Sequence, residues 1–407
     1  MSHIMTNGNR PLAIDLFCGC GGISAGLERA GFSVVAGVDI EPHYISTFTH
    51  NFPKAESLKL DISQVAPQDF MRSLDLQEGQ LDLLAGGPPC QGFSKNVPRK
   101  NRYLEDPKNR LVKSFLDYCE TLKPRFVLLE NVAEMKNGFD QAYSDEILDR
   151  LREEGYSVSH AVLNAADYGI PQRRRRAFFL GCREGAELSF PKPTHVRESK
   201  GGGLFPMPER VTVWDAIGDL PSVRHGEGAE TMPYASRPFS EFQESVRNGH
   251  KTVANHVARF LQPTQYERLA SLKPGQGLKD LPEHLKTKGG YSGAYGRLTK
   301  DMIAPTITRW VFHPGSGRWG HPIDIRLLTI REVARIQGFA DSFEFVGSYV
   351  QRAGQLGNAV PPLLAEQIAK SILSQVGARK LASNSMKRST VILSSASGRR
   401  LRMSKRH

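Results

Sequence analysis

The sequence is poor in cysteine, in long apolar runs and, over its last stretch, in acidic residues. Only five cysteines (Cys18, Cys20, Cys90, Cys119, Cys182) occur in 407 residues. They are too few and too scattered for a disulfide framework, which fits a reducing cytosol. No run approaches the roughly 18–20 apolar residues that cross a bilayer, and the N-terminus lacks the apolar core of a signal peptide. Membrane proteins and disulfide-stapled secreted domains are thereby excluded. No internal repeat is present, which excludes solenoids and propellers. Acidic residues are absent from 379–407, a segment that holds nine Lys and Arg residues. The whole chain has 54 Lys and Arg against 42 Asp and Glu, a net charge of +12. Without that tail the balance is 45 to 42, or +3. The basicity that suggests a nucleic-acid partner is mostly a tail, so placement matters more than its sum.

What is present describes a globular chain. Hydrophobic residues make up 39% and charged residues 24%, and the length suffices for two or three domains. Residues 1–12 read as a leader, with a second Met at position 5 suggesting an appended start. Short apolar runs then alternate with helical patterns. Ala13–Phe17, Ser33–Val38, Leu81–Ala85, Arg125–Glu130 and Ala177–Gly181 read as strands; Gly21–Ala30 and Ser144–Glu154 read as helices. Such alternation predicts an α/β fold, a parallel sheet covered by helices. The pattern stops near Pro191. Residues 190–325 are rich in Pro, Gly and His, hold all three tryptophans and seven of the twelve histidines, and read as a separate irregular domain. A helical pattern resumes at Thr329–Gln337 and again over Pro362–Ser374, and the basic tail from residue 378 reads as disordered. The expected units are 13–189, 190–325 and 326–377.

Three segments carry chemistry. Asp15-Leu-Phe-Cys-Gly-Cys-Gly-Gly22 joins a strand to a helix, and its glycines allow a sharp turn beside a ligand. It is not a phosphate-cradling Walker loop, and no Lys follows. Asp39 closes the next strand, where a carboxylate can accept ribose hydroxyls. Gly86-Gly-Pro-Pro-Cys90-Gln-Gly-Phe-Ser94 sets one Cys on a rigid diproline turn just past an apolar strand. A thiol held this way is a nucleophile candidate, although an unpaired Cys is more often a small buried hydrophobe. Glu130 ends an apolar strand at the same sheet edge. In Gln172-Arg-Arg-Arg-Arg176, an extended chain presents Gln172, Arg174 and Arg176 to one face.

Together these residues resemble the DNA (cytosine-5) methyltransferase family. Six motifs stand in the family's order: Phe17-x-Gly-x-Gly-Gly22, Pro-Pro-Cys90-Gln, Glu130-Asn-Val132, Gln172-x-Arg174-x-Arg176, Arg331-Glu332-x-x-Arg335-x-Gln337-Gly-Phe339 and Gln355-x-Gly-Asn-Ala-Val360. The resemblance covers 13–377 apart from the middle of 190–300. It implies a Rossmann-like sheet with helices on both faces, plus a smaller target-recognition domain over 190–325. It also implies S-adenosylmethionine as cofactor, leaving S-adenosylhomocysteine, and no metal. Double-stranded DNA is the expected partner, and a restriction endonuclease acting on the same site a second. A cytoplasmic, nucleoid-associated monomer is expected.

The resemblance assigns Cys90 to nucleophilic attack on the base, Glu130 to protonating it, and Arg174 and Arg176 to holding it. Phe17, Gly19, Gly21, Gly22, Asp39, Ile40, Asp61, Ile62, Pro89, Asn358 and Val360 are the expected cofactor contacts. Ile40 departs from the family, where an aromatic often stacks on the adenine. The stretch 91–110, with Gln91, Ser94, Lys95, Arg99 and Arg102, corresponds to the loop that closes over DNA. Arg309, Arg318 and Trp319 are the expected DNA contacts in the target-recognition region, while Trp214 reads as a core residue. Two alternatives keep the fold: an RNA cytosine-5 methyltransferase, or a catalytically silent DNA-binding regulator. Gln-Gly-Phe-Ser after Cys90 differs from the Gln-Pro-Phe-Thr of the RNA branch, and the full catalytic set argues against a silent protein.

Overall fold

A computed structural model describes residues 10–89, 110–133, 142–185, 188–196, 207–287, 289–290 and 292–375. Its central sheet contains β1 (Leu12–Leu16), β2 (Ser33–Asp39), β3 (Glu56–Lys59), β4 (Leu83–Gly86), β5 (Phe126–Val132), β6 (Ser157–Asn164) and β7 (Arg175–Cys182). The strand order is β3-β2-β1-β4-β5-β7-β6. The first five strands pair in parallel, as the sequence pattern predicts. β7 instead runs antiparallel to both β5 and β6. The link from β6 to β7 is too short for a crossover helix, so the chain must return in the opposite direction.

Alternation along the strands sends side chains to two different cores. In β5, Phe126 and Leu128 belong to one apolar cluster and Val127 and Leu129 to the other. In β7, Phe178 and Leu180 join the first cluster and Ala177 and Phe179 the second. Both faces are covered, so these strands read as continuous apolar runs. Helices α1 (Gly22–Ala30) and α2 (Pro42–Asn51) place Leu27 and Phe48 in the first cluster. On the opposite face, α3 (Pro67–Ser73), α4 (Arg110–Leu122) and α5 (Ala142–Glu153) bury Phe70, Phe115 and Leu151. β6 escapes the sequence pattern because its side chains are mostly half-buried at the sheet's edge.

The rest of the chain lies on the face of the first cluster. It comprises α6 (Val213–Ile217), β8 (Gly228–Pro233), α7 (Glu241–Arg247), β9 (Thr252–Val257), α8 (Pro263–Ala270), α9 (Ile330–Ile336), α10 (Tyr349–Asn358) and a helix α11 over 362–375. β8 and β9 form a two-stranded antiparallel sheet. Val213, Leu298 and Ile307 share one continuous core with Leu128 and Phe178, so residues 190–325 are laid against the sheet.

Buried charge ties this layer together. Arg326 makes a two-pronged contact to Glu332 at 2.8 Å per prong, and Thr329 caps α9 with the same carboxylate. Burial alone would raise the Glu332 carboxyl, but Arg326 and His321 hold it far below the ordinary range. Arg335, fully buried, grips Asp341 at 2.9 and 2.6 Å, donates to the Ala216 carbonyl at 2.9 Å and pairs with Asp219. The motif around Arg331–Phe339 therefore ties α6, Asp219 and β9 to α9.

Candidate active site

The site lies at the carboxyl end of the sheet, where β1 sits between β2 and β4. The chain reverses its direction of travel across the sheet here, the usual place for a crevice in an open α/β fold. Leaving β1, Phe17 takes a left-handed backbone (φ 61), unusual for a bulky residue and a form of strain that clusters at ligand sites. The three glycines of the turn then do different things. Gly19 (φ +56) has no atom within 4 Å of where a Cβ would project, so it opens onto space. A Cβ on Gly21 would instead meet Phe52 at 2.4 Å, and one on Gly22 would meet the Val360 carbonyl oxygen at 2.3 Å. Gly19 alone borders the space a ligand can occupy; Gly21 and Gly22 let α2 and the 359–360 segment approach closely.

Asp39 sits beside that opening. Its Oδ2 accepts from the Gly19 N–H and its Oδ1 from the Glu41 N–H, both at 2.9 Å. Burial raises its carboxyl, against these hydrogen bonds. Ile40 is 54% exposed, an uncovered apolar face next to the carboxylate. Asp61 accepts from the Ser63 N–H and hydroxyl at 3.0 and 2.7 Å, and Ile62 is buried. On the far side, Asn358 donates to the Tyr44 hydroxyl at 2.6 Å. An open glycine turn, a ribose-competent carboxylate and a bare apolar side chain fit a nucleoside-bearing cofactor. Among the described residues, no group of three or more His, Cys, Asp or Glu could hold a metal ion.

The second half of the site is built on β5 and β7. Period-two alternation puts Glu130 on the same face as Leu128, and Arg176 on the same face as Phe178. The two meet there, with Arg176 Nε 2.9 Å from Glu130 Oε1. Burial raises the Glu130 carboxyl, while Arg176 and Arg174 pull it back. Gly87 is needed alongside, because a Cβ there would come within 3.0 Å of Glu130 Oε2. Asn131 donates to the Pro88 carbonyl at 2.9 Å and so anchors the diproline turn to β5. Pro89 is exposed at the end of the described segment. Cys90, Gln91, Ser94, Lys95, Arg99 and Arg102 lie outside the described residues.

The alternation expected of the arginine run holds. Gln172 and Arg174 are buried and Arg176 half-buried, whereas Arg173 and Arg175 are exposed. Arg174, however, points away from open space. Its Nη1 donates to the Ile307 carbonyl at 2.9 Å and its Nη2 to the Gly357 carbonyl at 3.0 Å, and its buried Nε has no partner. Burial and the neighbouring Arg176 lower its pKa, against Glu130. Arg174 thus acts as a tie between segments, leaving Arg176 as the arginine on the carboxylate.

Among the expected DNA contacts, Arg309 is exposed with its guanidinium 4.9 Å from the exposed Trp310 ring. Arg318 is half-buried, with Nη1 donating to the Gln276 and Arg297 carbonyls at 2.8 and 3.1 Å. Trp319 is only 2% exposed and is a core residue, correcting the expectation that it reaches outward. Sequence reading passed over Asp15. It is fully buried beneath the glycine turn, accepts from Ser24 Oγ at 2.6 Å, and leaves Oδ1 without a partner. Burial pushes its carboxyl up to about 7 against the Ser24 hydrogen bonds. A lone carboxylate inside the apolar run of β1 was the available signal.

The chain is similar to known proteins over most of its length. The family model described as C-5 cytosine-specific DNA methylase matches residues 12–374. Type II methyltransferase M1.HphI of Haemophilus parahaemolyticus is 35% identical over 363 residues, spanning 88% of this chain and 86% of that protein. Type II methyltransferase M.DdeI of Desulfomicrobium norvegicum is 34% identical over 379 residues, with 88% of each covered. A solved structure of a prophage-encoded DNA modification methyltransferase of E. coli matches with a TM-score of 0.71 at 27% identity, covering 90% of this chain and 99% of that one.

Proposed function

The chain belongs to the C-5 cytosine-specific DNA methylase family, and from that premise we propose that it methylates carbon 5 of a cytosine within a short DNA sequence through a covalent adduct with Cys90. The observation that carries this reading is the pairing of buried Glu130 with half-buried Arg176 at 2.9 Å, beside Gly87, which stands three residues before Cys90 in sequence. Burial raises the hold of the Glu130 carboxyl on a proton, and an arginine beside it can hold a carbonyl oxygen.

The cytosine is flipped out of the duplex at a cost of a few kcal/mol. Cys90 adds as thiolate to carbon 6 while Glu130 delivers a proton to ring nitrogen 3. Arg176 holds the exocyclic oxygen, and Arg174 acts as a positioning residue. S-adenosylmethionine, when bound, supplies an electrophilic methyl group. Phe17, Gly19, Asp39, Ile40, Asp61, Ile62, Pro89, Asn358 and Val360 would hold it, with Asp39 on the ribose and Ile40 against the adenine. A water molecule then takes the carbon-5 proton, Cys90 leaves as thiolate, and the proton on ring nitrogen 3 returns to Glu130, which restores the aromatic ring. Gln91, Ser94, Lys95, Arg99, Arg102 and Arg309 are the proposed DNA contacts.

Double-stranded DNA is the partner in this reading. The similarity to Type II methyltransferases supports a restriction–modification role beside an endonuclease of the same site. Cytoplasmic action as a monomer belongs to the same proposal. The described residues contain no helix long and apolar enough to cross a membrane. Incubation with methyl-labelled S-adenosylmethionine and duplex DNA, followed by nucleoside analysis, should yield 5-methylcytosine. Label on adenine, on cytosine N4 or on transfer RNA alone would overturn the proposal.

A further inference from the structure

Two buried glutamines join the cofactor side of the site to the base side. Gln337 Nε2 donates to the Leu356 carbonyl at 3.1 Å and the Ala359 carbonyl at 2.7 Å, on either side of Asn358. Gln337 Oε1 accepts from Gln172 Nε2, which also donates to the Ile336 carbonyl at 3.4 Å. Gln172 Oε1 in turn accepts from the Ile307 N–H at 2.8 Å. The Ile307 carbonyl accepts from Arg174, whose other terminal nitrogen returns to the Gly357 carbonyl. The links close into a ring running through residues 356–359, Gln337, Gln172, Ile307 and Arg174.

The side-chain links are shut off from water: Gln172 and Gln337 are 0% exposed, and Arg174 and Ile307 are 1% exposed, whereas Asn358 between the two held carbonyls is exposed. Both amides use their donors and their oxygen within the protein. With no solvent to replace a broken link, a shift on one side must be followed by the other or leave a buried polar group unpaired. The cofactor-side end is itself wedged. Val360 stands against Gly22, and Gln355 Nε2 holds the His43 carbonyl of α2 at 3.0 Å. The other end, Ile307, is two residues from the exposed Arg309.

We propose that Gln337 and Gln172 are positioning residues whose hydrogen bonds hold the cofactor-side segment and the base-side arginine in one register, so that S-adenosyl ligand and DNA bind cooperatively. This rests on reading 358–360 as cofactor-side and Arg174 as base-side. Glue alone would add stability; a coupling ring makes the affinity for each ligand depend on the other, reciprocally.

The test uses the full chain and a fluorescent duplex carrying its methylation site, with DNA affinity measured by anisotropy with and without saturating S-adenosylhomocysteine. Wild type should bind DNA at least about tenfold more tightly with the ligand present. Gln337→Met should reduce that factor to about threefold or less, while the affinity for either ligand alone stays within about threefold of wild type. Gln172→Glu removes the donor shared by Gln337 and the Ile336 carbonyl and keeps the acceptor for Ile307, so it serves if Gln337→Met does not fold. A merely structural role would lower the melting temperature and leave the factor unchanged; that result, or a wild-type factor of one, overturns the proposal. A wild type that binds neither ligand overturns instead the reading of the site on which it rests.

Discussion

Replacing Gly22 by Ala tests whether the cofactor turn is glycine-rich for packing or for ligand access. The new Cβ would stand 2.3 Å from the Val360 carbonyl oxygen, 3.2 Å from its nitrogen and 3.3 Å from Ala359 Cβ. Two of these are backbone atoms and cannot rotate aside, so the segment must retreat by roughly 1 Å to reach ordinary contact. It is poorly free to do so. The Ala359 carbonyl is held by Gln337 at 2.7 Å, and the Gly357 carbonyl by Arg174 at 3.0 Å. One turn further along α1, a Cβ on Gly26 would lie 2.5 Å from the Pro362 carbonyl oxygen, so the whole helix is seated against the chain entering α11. Overpacking of this kind costs about 1–3 kcal/mol, against at most about 1 kcal/mol gained from the helix preference of Ala. The net is a loss of about 1–2 kcal/mol, read as a lower midpoint in urea and a melting temperature down by a few degrees. Because Val360 moves, the KM for S-adenosylmethionine should rise by about tenfold or more. Gly19→Ala provides the contrast. Its Cβ meets nothing, so the stability cost is only the left-handed backbone (φ +56), about 1–2 kcal/mol, while the methyl enters the proposed cofactor space. A Gly22→Ala protein that melts at or above the wild-type temperature would refute the close-approach reading.

Three further outcomes follow from the buried charges. Glu130→Gln keeps the shape beside Arg176 but cannot donate a proton, so kcat should fall about 10²- to 10⁴-fold with the fold intact by circular dichroism; unchanged kcat would remove Glu130 from acid catalysis. Asp15 titrates near 7 when folded against 3.8 unfolded, so the stability linked to its protonated form is present below pH 3.8 and lost as pH rises through 7. Relative to Asp15→Asn, wild type should therefore lose on the order of 4 kcal/mol between pH 4 and 8; wild-type stability in urea that, relative to Asp15→Asn, stays level or rises from pH 4 to 8 would contradict this. Arg335→Met strips a cation shared by Asp219 and Asp341, both buried, and should destabilise by about 3–5 kcal/mol in chemical denaturation; a loss under about 1 kcal/mol would show the hub to be dispensable.

Much of the site was legible because its determinants are local. The strand that ends at Glu130 and the run Gln172–Arg176 obey a period of two, and that period assigns each side chain a face. The glycine turn likewise follows from a strand meeting a helix. β6 escaped because its residues are half-buried and carry no continuous apolar run. The reversal of β7 depends on the short path from β6, a fact about connection rather than composition. Arg174 and Arg176 look equivalent in sequence, yet one binds two carbonyls from distant segments and the other binds Glu130. Trp310 and Trp319 each follow an arginine, yet the first is exposed and the second buried.

The sequence by itself determined the family, the α/β sheet, the sheet edge that gathers the chemistry and the residue types on it, because periodicity and motif order are properties of neighbouring positions. Only the tertiary structure decided which glycine opens onto ligand space, which arginine meets the carboxylate, and that two distant glutamines join the site's halves. Those outcomes are set by close approach and burial between segments tens to hundreds of residues apart, where an unpaired polar group is costly and a surplus methyl has nowhere to go.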